Sequence, residues 1–402
     1  MSASTQAAIA GVGETAVGKV PGVSALELHV QAAKRALDDA GIPKAEIDGL
    51  LTCSSMTEDN IRHHIVVAEH LGIYAKSLCD TLRTGGSSFG YALQLAHDAI
   101  KAGRCRAVLI VSGDNLATGY GPGKGVTGYA EIGAHSVEFE YPFGAHIPAF
   151  YALVARRHMY EYGTTSEQLA QIAVVCRRHA ALNPAAQMRV SITVKDVLDS
   201  RMVSTPLHLL DCSLISDGGG AVIVTPLDRA RDLKRRPVRI LGTGQGHSYY
   251  QMGHLVSRVG APPAVKSRFS LTSTLSARAG EQAFGEAGVT PDDIDVAEIY
   301  DSFTITALVQ FEDLGFCKKG EGGAFVEGGR LELGGALPTN TFGGLLSFAH
   351  PGMPGGVFHL IEGVRQLRGE CGPRQVRDAR IALVTSVSAV LSNHSVAILG
   401  RD

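Results

Sequence analysis

The stretch from Asn340 to Gly356, N-T-F-G-G-L-L-S-F-A-H-P-G-M-P-G-G, carries the residues best suited to chemistry. A histidine followed at once by proline sits between two glycine pairs, and the pattern predicts a helix directly after it, over Val357–Arg368. Glycines permit positive φ and close backbone approach, and Pro351 pins the turn just after His350. Such a loop can hold an imidazole at a fixed angle at the mouth of a helix, where free backbone N–H groups and the helix dipole favour negative charge. The chemistry that fits is stabilisation of an oxyanion or of a thioester oxygen.

The elements that must position this loop show through a weak internal repeat. Ala33–Leu50 and Gly280–Ala297 each read as an amphipathic helix stopping at a glycine (Gly41, Gly288), then a polar turn, then a buried strand. Upstream of each copy lies a strand running into Gly-x-Gly, Ala8–Gly13 in one case and Arg239–Gly244 in the other. Two matches in the same order point to a duplicated α/β fold. The glycines themselves read as strand-end turns. They are not a dinucleotide fingerprint, because its third position is Ala16 and no acidic residue ends a plausible second strand.

Within the first half the sequence predicts a helix over Gly86–Ala102 and a strand over Ala107–Ser112. From about Leu116 to Ser204 the alternation breaks, with helices at Ile147–Tyr162 and Ser166–Leu182, which reads as an inserted, more polar loop subdomain. Cys212–Pro226 returns as a turn and buried strand, and a basic, proline-containing bridge (Asp228–Pro237) leads into the second half. The expected division is residues 1–230 and 231–402, with the insertion at 116–204.

The 402 residues are 45% hydrophobic and 19% charged, ordinary for a chain with a sizeable core, and the net charge of −2 gives no reason to expect nucleic acid as a partner. The amino terminus lacks the basic and apolar regions of a signal peptide, and no apolar run is long enough to span a bilayer. Seven widely spaced cysteines with no C-x-x-C pair argue against a disulfide framework or a zinc site, so reduced thiols, no metal and a cytoplasmic location are expected.

With the repeat, the insertion and the histidine loop in order, the chain resembles the thiolase superfamily over nearly its whole length. Its likeness is to the sterol-carrier-protein-type thiolases and the thiolase-like lipid-transfer proteins, whose further markers are Tyr300-Asp301-Ser302-Phe303-Thr304 and Gly315–Gly323. The resemblance implies two βαβαβ-type halves stacked as a five-layer α-β-α-β-α sandwich. It also implies a coenzyme A thioester as substrate, no covalently bound cofactor, and a homodimer with room for a zinc-ribbon/OB-fold partner protein.

A thiolase needs a nucleophilic cysteine at a helix start, an Asn or His that polarises the thioester oxygen together with the loop histidine, and a second Cys or His near the carboxyl terminus. By resemblance the nucleophile's place falls on Gly86, in T-G-G-S-S-F-G, and Cys79 lies well upstream of it. The polarising position carries Tyr300, the loop histidine is kept as His350, and the last position falls on Ala389, with Asn393 and His394 nearby and Asn340 as further lining candidates. Asp301 is expected to cap a helix starting at Ser302, Asp217 to form a turn, and His97, His158 and His179 to be surface or core residues.

What remains is a helix start at Gly85, Gly86, Ser87 and Ser88, with Tyr300 and His350. A phenol with a reference pKa near 10 donates a proton, or serves as a base when its pKa is depressed. Thiolase-like aldolases that shorten steroid side chains show the same replacement at Gly86 and Tyr300, and differ at His350, where they have a second tyrosine. The resemblance therefore implies retro-aldol cleavage of a 3-hydroxyacyl-CoA without a cysteine nucleophile. Two alternatives stay open. One is an acyltransferase (acetyl-CoA acetyltransferase-like) using Ser87 or Ser88, although those hydroxyls otherwise read as helix caps. The other is a non-catalytic acyl-CoA or lipid-binding subunit.

Overall fold

The computed structural model describes residues 6–58, 60–119, 146–248 and 271–402; the 120–145 part of the expected insertion and the 249–270 part of the second half lie outside the described residues. Nine strands form one mixed sheet: β1 (Ala7–Glu14), β2 (Gly49–Cys53), β3 (Leu78–Leu82), β4 (Val108–Asn115), β7 (Asp217–Pro226), β8 (Val238–His247), β9 (Val296–Glu298), β10 (Ile381–Ser388) and β11 (Asn393–Arg401). A separate short hairpin pairs β5 (Met202–Ser204) with β6 (Leu207–His208).

The sheet order is β3-β2-β4-β7-β1-β8-β11-β10-β9. Read outward from the β1–β8 seam, the first half runs β1, β7, β4, β2, β3. The second runs β8, β11, β10, β9, with a parallel bridge from Ala297 to Thr339 in the place of β3. The same chain order on both sides is the duplication seen in the sequence. It extends to a bulge: Ala10 is skipped in the β1–β7 register and Leu241 in the β8–β11 register, at equivalent places of the repeat. Ala8 pairs with Arg239 and Ile9 with Val238, so the two sheet layers are one hydrogen-bonded sheet.

Helices α1 (Ala25–Ala40) and α2 (His63–Leu71) cover the outer face of the first half. Helices Ser276–Ala287 and Thr304–Asp313 lie outside the second. Between the layers run α3 (Ser88–Lys101) and the helix Gly355–Arg368, each touching strands of both halves. Neighbouring strand residues therefore face different cores. Leu51 packs with Phe89 and Phe358 in the middle, and Leu50 with Ala33 and Ala36 outside; Val384 and Leu383 divide in the same way on β10. Burial on both faces is why these strands read as unbroken apolar runs.

One expectation needs correction. The Gly-x-Gly pairs are not strand-end turns, for they lie inside β1 and β8 on the face that receives a helix. A Cβ on Gly11 would come 2.5 Å from the Ala36 carbonyl oxygen, and one on Gly244 would come 1.9 Å from that of Ala279. The glycines let α1 and its counterpart press onto their strands. The described helices of the expected insertion add to the core of the second half. Helices Ile147–Tyr162 and Ser166–Ala181 bury Phe150, Val154, Leu169, Ile172 and Val175 in the core that holds Ile305 and Phe311, and the Tyr151 ring stacks on Phe303 at 4.3 Å. His97, His158 and His179 are all buried, and His158 is paired with Glu312 at 3.0 Å. No helix of the described residues is long and apolar enough to cross a membrane.

The helix-strand contact gives a two-sided test. Gly244→Ala must displace backbone and is expected to lower unfolding free energy by about 1–3 kcal/mol. Gly285, in the last turn of the helix Ser276–Ala287, has open space at its Cβ position. Gly285→Ala should raise stability by up to about 1 kcal/mol. Urea unfolding of both variants would show equal shifts if the close approach were unimportant.

Candidate active site

Tyr300 stands just beyond the end of β9, where the chain turns away from the sheet. Its mainchain is clamped on both sides: its N–H donates to Thr385 Oγ1 (2.8 Å) and its carbonyl accepts from Gln310 Nε2 (2.8 Å), while Thr385 Oγ1 donates to Gln310 Oε1 (2.7 Å). The preceding residue, Ile299, is held by the side chain of Asn340, which accepts from its N–H (2.7 Å) and donates to its carbonyl (2.8 Å). Asn340 has φ +52 and is fully buried, so its amide stands in for a strand neighbour. The structure thus gives Asn340 a supporting place behind Tyr300 and not a lining one.

Asp301 faces away from Tyr300 into the protein. It does not cap the helix after it, whose first residue is Thr304. Its carboxylate accepts from Leu345 N (2.7 Å) and Leu346 N (3.3 Å), capping the turn Gly344–Ser347, and lies 3.2 Å from His359 Nε2. Gly344 is required there, because its φ is +63 and a Cβ would sit 2.0 Å from Asp301 Oδ2. This fixes the glycine pair that precedes the histidine.

His350 is held through its mainchain by Ser216, whose Oγ accepts from His350 N (3.1 Å) and whose N–H donates to His350 O (3.3 Å). Its ring spans two hydroxyls, with Nε2 3.2 Å from Tyr300 Oη and Nδ1 2.7 Å from Ser213 Oγ. Loss of hydration among the surrounding protein atoms pushes its pKa down to about 4, against an opposing pull from Asp301, so the ring is neutral near pH 7. Proton uptake by the unfolded chain begins near the ordinary value of 6.5. This histidine therefore withdraws stability as pH falls from 6.5 toward 4.

The first half delivers the remaining wall. A short 3-10 turn, Gly85–Ser87, opens α3, and the start of Gly355–Arg368 lies against it: a Cβ on Gly356 would come 2.9 Å from Gly86 O, and one on Gly355 3.2 Å from Tyr300 Oη. Two helix amino termini therefore converge on the Tyr300–His350 pair, a setting that favours negative charge. At Gly86 a Cβ would lie 2.1 Å from Tyr300 Oη and 2.7 Å from Val387 O. The tyrosine hydroxyl occupies the space a side chain at position 86 would need.

Neither serine is activated. Ser87 Oγ meets Ser388 Oγ (2.7 Å) and Thr84, and Ser88 Oγ accepts from Thr84 N (2.9 Å), with no histidine or carboxylate bonded to either among the described residues. They also fail as helix caps, since neither accepts from an amide of α3; they lace the 84–88 turn to Ser388. No cysteine substitutes for them. All seven thiols are free and pushed up by burial, to about 12 at Cys53, Cys212 and Cys317, and Cys79 lies on the edge strand β3. A thiol in that state is not a nucleophile at neutral pH.

Past β10, Ala389, Val390 and Leu391 all take positive φ in the turn into β11. His394 has its ring nitrogens on Ser276 Oγ (2.6 Å) and Leu391 O (2.9 Å), and Asn393 Oδ1 lies 3.2 Å from His247 Nδ1. Both hold this turn to β8 and its helix. Asp217 is a tie and not a turn former: its carboxylate accepts from Val20, Ala117 and Thr118 amides. Sequence reasoning missed Ser213 altogether, for nothing marks a serine 137 residues before a histidine as its partner.

The family model for the thiolase N-terminal domain matches residues 6–228, and the one for a thiolase C-terminal domain-like region matches residues 261–401. The chain is 38% identical over 402 residues to a steroid side-chain-cleaving aldolase of Thermomonospora curvata, covering 98% of each chain. It is 34% identical over 398 residues to an acetyl-CoA acetyltransferase of Methanothermobacter thermautotrophicus, covering 98% of this chain and 99% of that one. Among solved structures, an Ltp2-ChsH2(DUF35) aldolase superposes with a TM-score of 0.86 at 36% identity, covering 99% of this chain and 98% of that chain.

The crowding at Gly86 sets the outcome of placing a thiol there. Gly86→Cys alone is expected to lower the melting temperature and to form no acyl adduct by intact mass after incubation with acetyl-CoA. Adding Tyr300→Ala should recover stability relative to the single variant. A stable single variant that acylates would show that Tyr300 does not hold that space.

Proposed function

The chain belongs to the thiolase family, and we propose that it is an acyl-CoA enzyme that breaks a carbon–carbon bond without a covalent intermediate, by retro-aldol cleavage of a 3-hydroxyacyl-CoA. The observation that carries this reading is Tyr300, whose hydroxyl takes up the space beside Gly86 and bonds to a neutral His350. The name of the Thermomonospora curvata aldolase supports the reaction class, and the name of the acetyltransferase supports a coenzyme A thioester.

In this reading the substrate's β-hydroxyl lies at Tyr300 and its thioester carbonyl faces the paired helix starts at Gly86 and Gly355. The O–H proton passes to the Tyr300–His350 pair, the oxygen's electrons form the new C=O, the Cα–Cβ bond breaks, and its electrons go into the thioester enolate. The backbone donors and dipoles of the two helices stabilise that enolate. The proton returns to Cα, releasing a shorter acyl-CoA and an aldehyde or ketone. Atoms balance without water or a second coenzyme A.

A second protein chain, of the zinc-ribbon/OB-fold kind, is proposed as a partner, in line with the two components named in the Ltp2-ChsH2(DUF35) aldolase. A homodimer is proposed across β3, which forms one edge of the sheet. Light scattering on the purified chain, alone and with that partner, reads both. The unpaired thiols accord with a reducing compartment such as the cytoplasm.

A panel of 3-hydroxyacyl- and 3-ketoacyl-CoAs, with and without free coenzyme A and with partner present, tests the reaction. Carbonyl release from a 3-hydroxyacyl-CoA should need no free coenzyme A. Tyr300→Phe should reduce it roughly 10²–10⁴-fold, the usual contribution of a general acid–base group. Because His350 accepts only while neutral, its acid limb should lie near pH 4 and not near 6.5. Full activity in Tyr300→Phe, or turnover only of 3-ketoacyl-CoA with free coenzyme A, would sink the reading.

A further inference from the structure

His350 is the middle member of a chain of three. Tyr300 Oη lies on one ring nitrogen at 3.2 Å and Ser213 Oγ on the other at 2.7 Å. Among the described residues no carboxylate is bonded to the ring. Asp301, the nearest candidate, has its oxygens on Leu345 N, Leu346 N, His359 Nε2 and the Cys176 thiol. A proton arriving on Nε2 therefore finds no carboxylate hydrogen-bonded behind the ring, and the pull of the Asp301 charge is outweighed by desolvation, which opposes the imidazolium. The ring can accept on one nitrogen only by releasing from the other, and the group on that other nitrogen is Ser213.

Ser213 is built to receive it. Its N–H donates to Ser302 O (2.9 Å), Leu214 N donates to Leu345 O (3.2 Å), and Ser216 grips the His350 backbone, so the 213–216 segment is fixed to both the Tyr300 turn and the histidine loop. Ser213 is half-buried, so this end of the chain of three lies nearer to solvent than the buried Tyr300.

Resting on the retro-aldol reading, we infer that Tyr300, His350 and Ser213 form a proton relay in which His350 only exchanges tautomers and Ser213 is its solvent-side end. In the resting state Tyr300 donates to Nε2, and Nδ1–H donates to Ser213 Oγ. As the substrate hydroxyl gives its proton to Tyr300 Oη, the tyrosine's own proton moves to Nε2. The Nδ1 proton moves to Ser213, and the serine's proton passes to water. Each member ends neutral, and the electron pair left on the substrate oxygen forms the carbonyl. Reversal of the same moves delivers a proton through Tyr300 to the enolate Cα and resets the ring. Ser213 is a positioning and relay residue that need not touch substrate.

Two measurements test this, one of which does not depend on turnover. In protein labelled with 15N-histidine, the His350 ring at pH 7 should be protonated on Nδ1, and Ser213→Ala should shift it toward the Nε2–H form. A wild-type ring already protonated on Nε2, unaffected by Ser213→Ala, overturns the relay whatever the reaction proves to be. On a 3-hydroxyacyl-CoA that the wild type cleaves, Ser213→Ala should lower kcat roughly 10–100-fold, as loss of a residue that orients a reacting group does, with KM little changed. The solvent deuterium isotope effect should become that of a single proton, and Ser213→Thr should restore both. Wild-type kcat and isotope effect in Ser213→Ala, or equal losses in the Ala and Thr variants with the isotope effect unchanged, overturn the relay. Absence of cleavage by the wild type counts against the retro-aldol reading and leaves the nitrogen spectra to decide the relay.

Discussion

The approach of the Tyr300 hydroxyl to the backbone of Gly86 is the constraint on which the rest of the site depends. A Cβ at position 86 would meet that oxygen at 2.1 Å and the Val387 carbonyl at 2.7 Å. Tyrosine at position 300 and a side chain at position 86 are mutually exclusive in this geometry, so the phenol and the bare helix start go together. Everything that fixes Tyr300 serves that contact: the Asn340 amide pairing with Ile299, the Gln310–Thr385 clamp, and the Tyr300 ring lying 5.7 Å from and nearly parallel to His359.

The duplicated fold explains why that contact lies where negative charge is welcome. Each half contributes one helix to the middle layer, and the β1–β8 seam sets the halves so that α3 and Gly355–Arg368 begin side by side. Glycine is needed at both starts for opposite reasons. Gly86 makes room for a side chain of the other half, whereas Gly356 makes room for Ser386 Oγ and the Gly86 carbonyl. Neither helix could open onto a tyrosine and a histidine if either start carried a Cβ.

The fold was legible because its signals are local. The repeat of helix, glycine stop and buried strand depends on residues a few positions apart, and the copies end at Gly41 (φ +73) and Gly288 (φ +68) as read. The Gly-x-Gly pairs were visible but misread, since a turn glycine and a helix-contact glycine look alike without the helix. The core place of the insertion's helices could not be read locally, because their apolar residues pack against Ile305 and Phe311, far along the chain. At the site, His350 and the empty position 86 could be found from the loop and from the resemblance. The roles of Asn340, Asp301 and Ser213 could not, because each is set by a partner far away in the chain, at Ile299, at Leu345 and at His350.

Charge decides what such a site can do with a proton. A histidine backed by a carboxylate can hold an imidazolium through a reaction; His350 has a hydroxyl behind it, and its pKa sits near 4. Two helix dipoles point at the same spot and oppose positive charge further. An anion is therefore the charged species this site stabilises, and an enolate formed beside a neutral tyrosine and a neutral imidazole suits it better than an ion pair. The same field would assist a thiolate, but every thiol in the chain is buried or half-buried and has its pKa raised. With no activated nucleophile among the described residues, the enolate is what remains for the two helices to hold, and the chemistry reduces to where the hydroxyl proton waits while it exists.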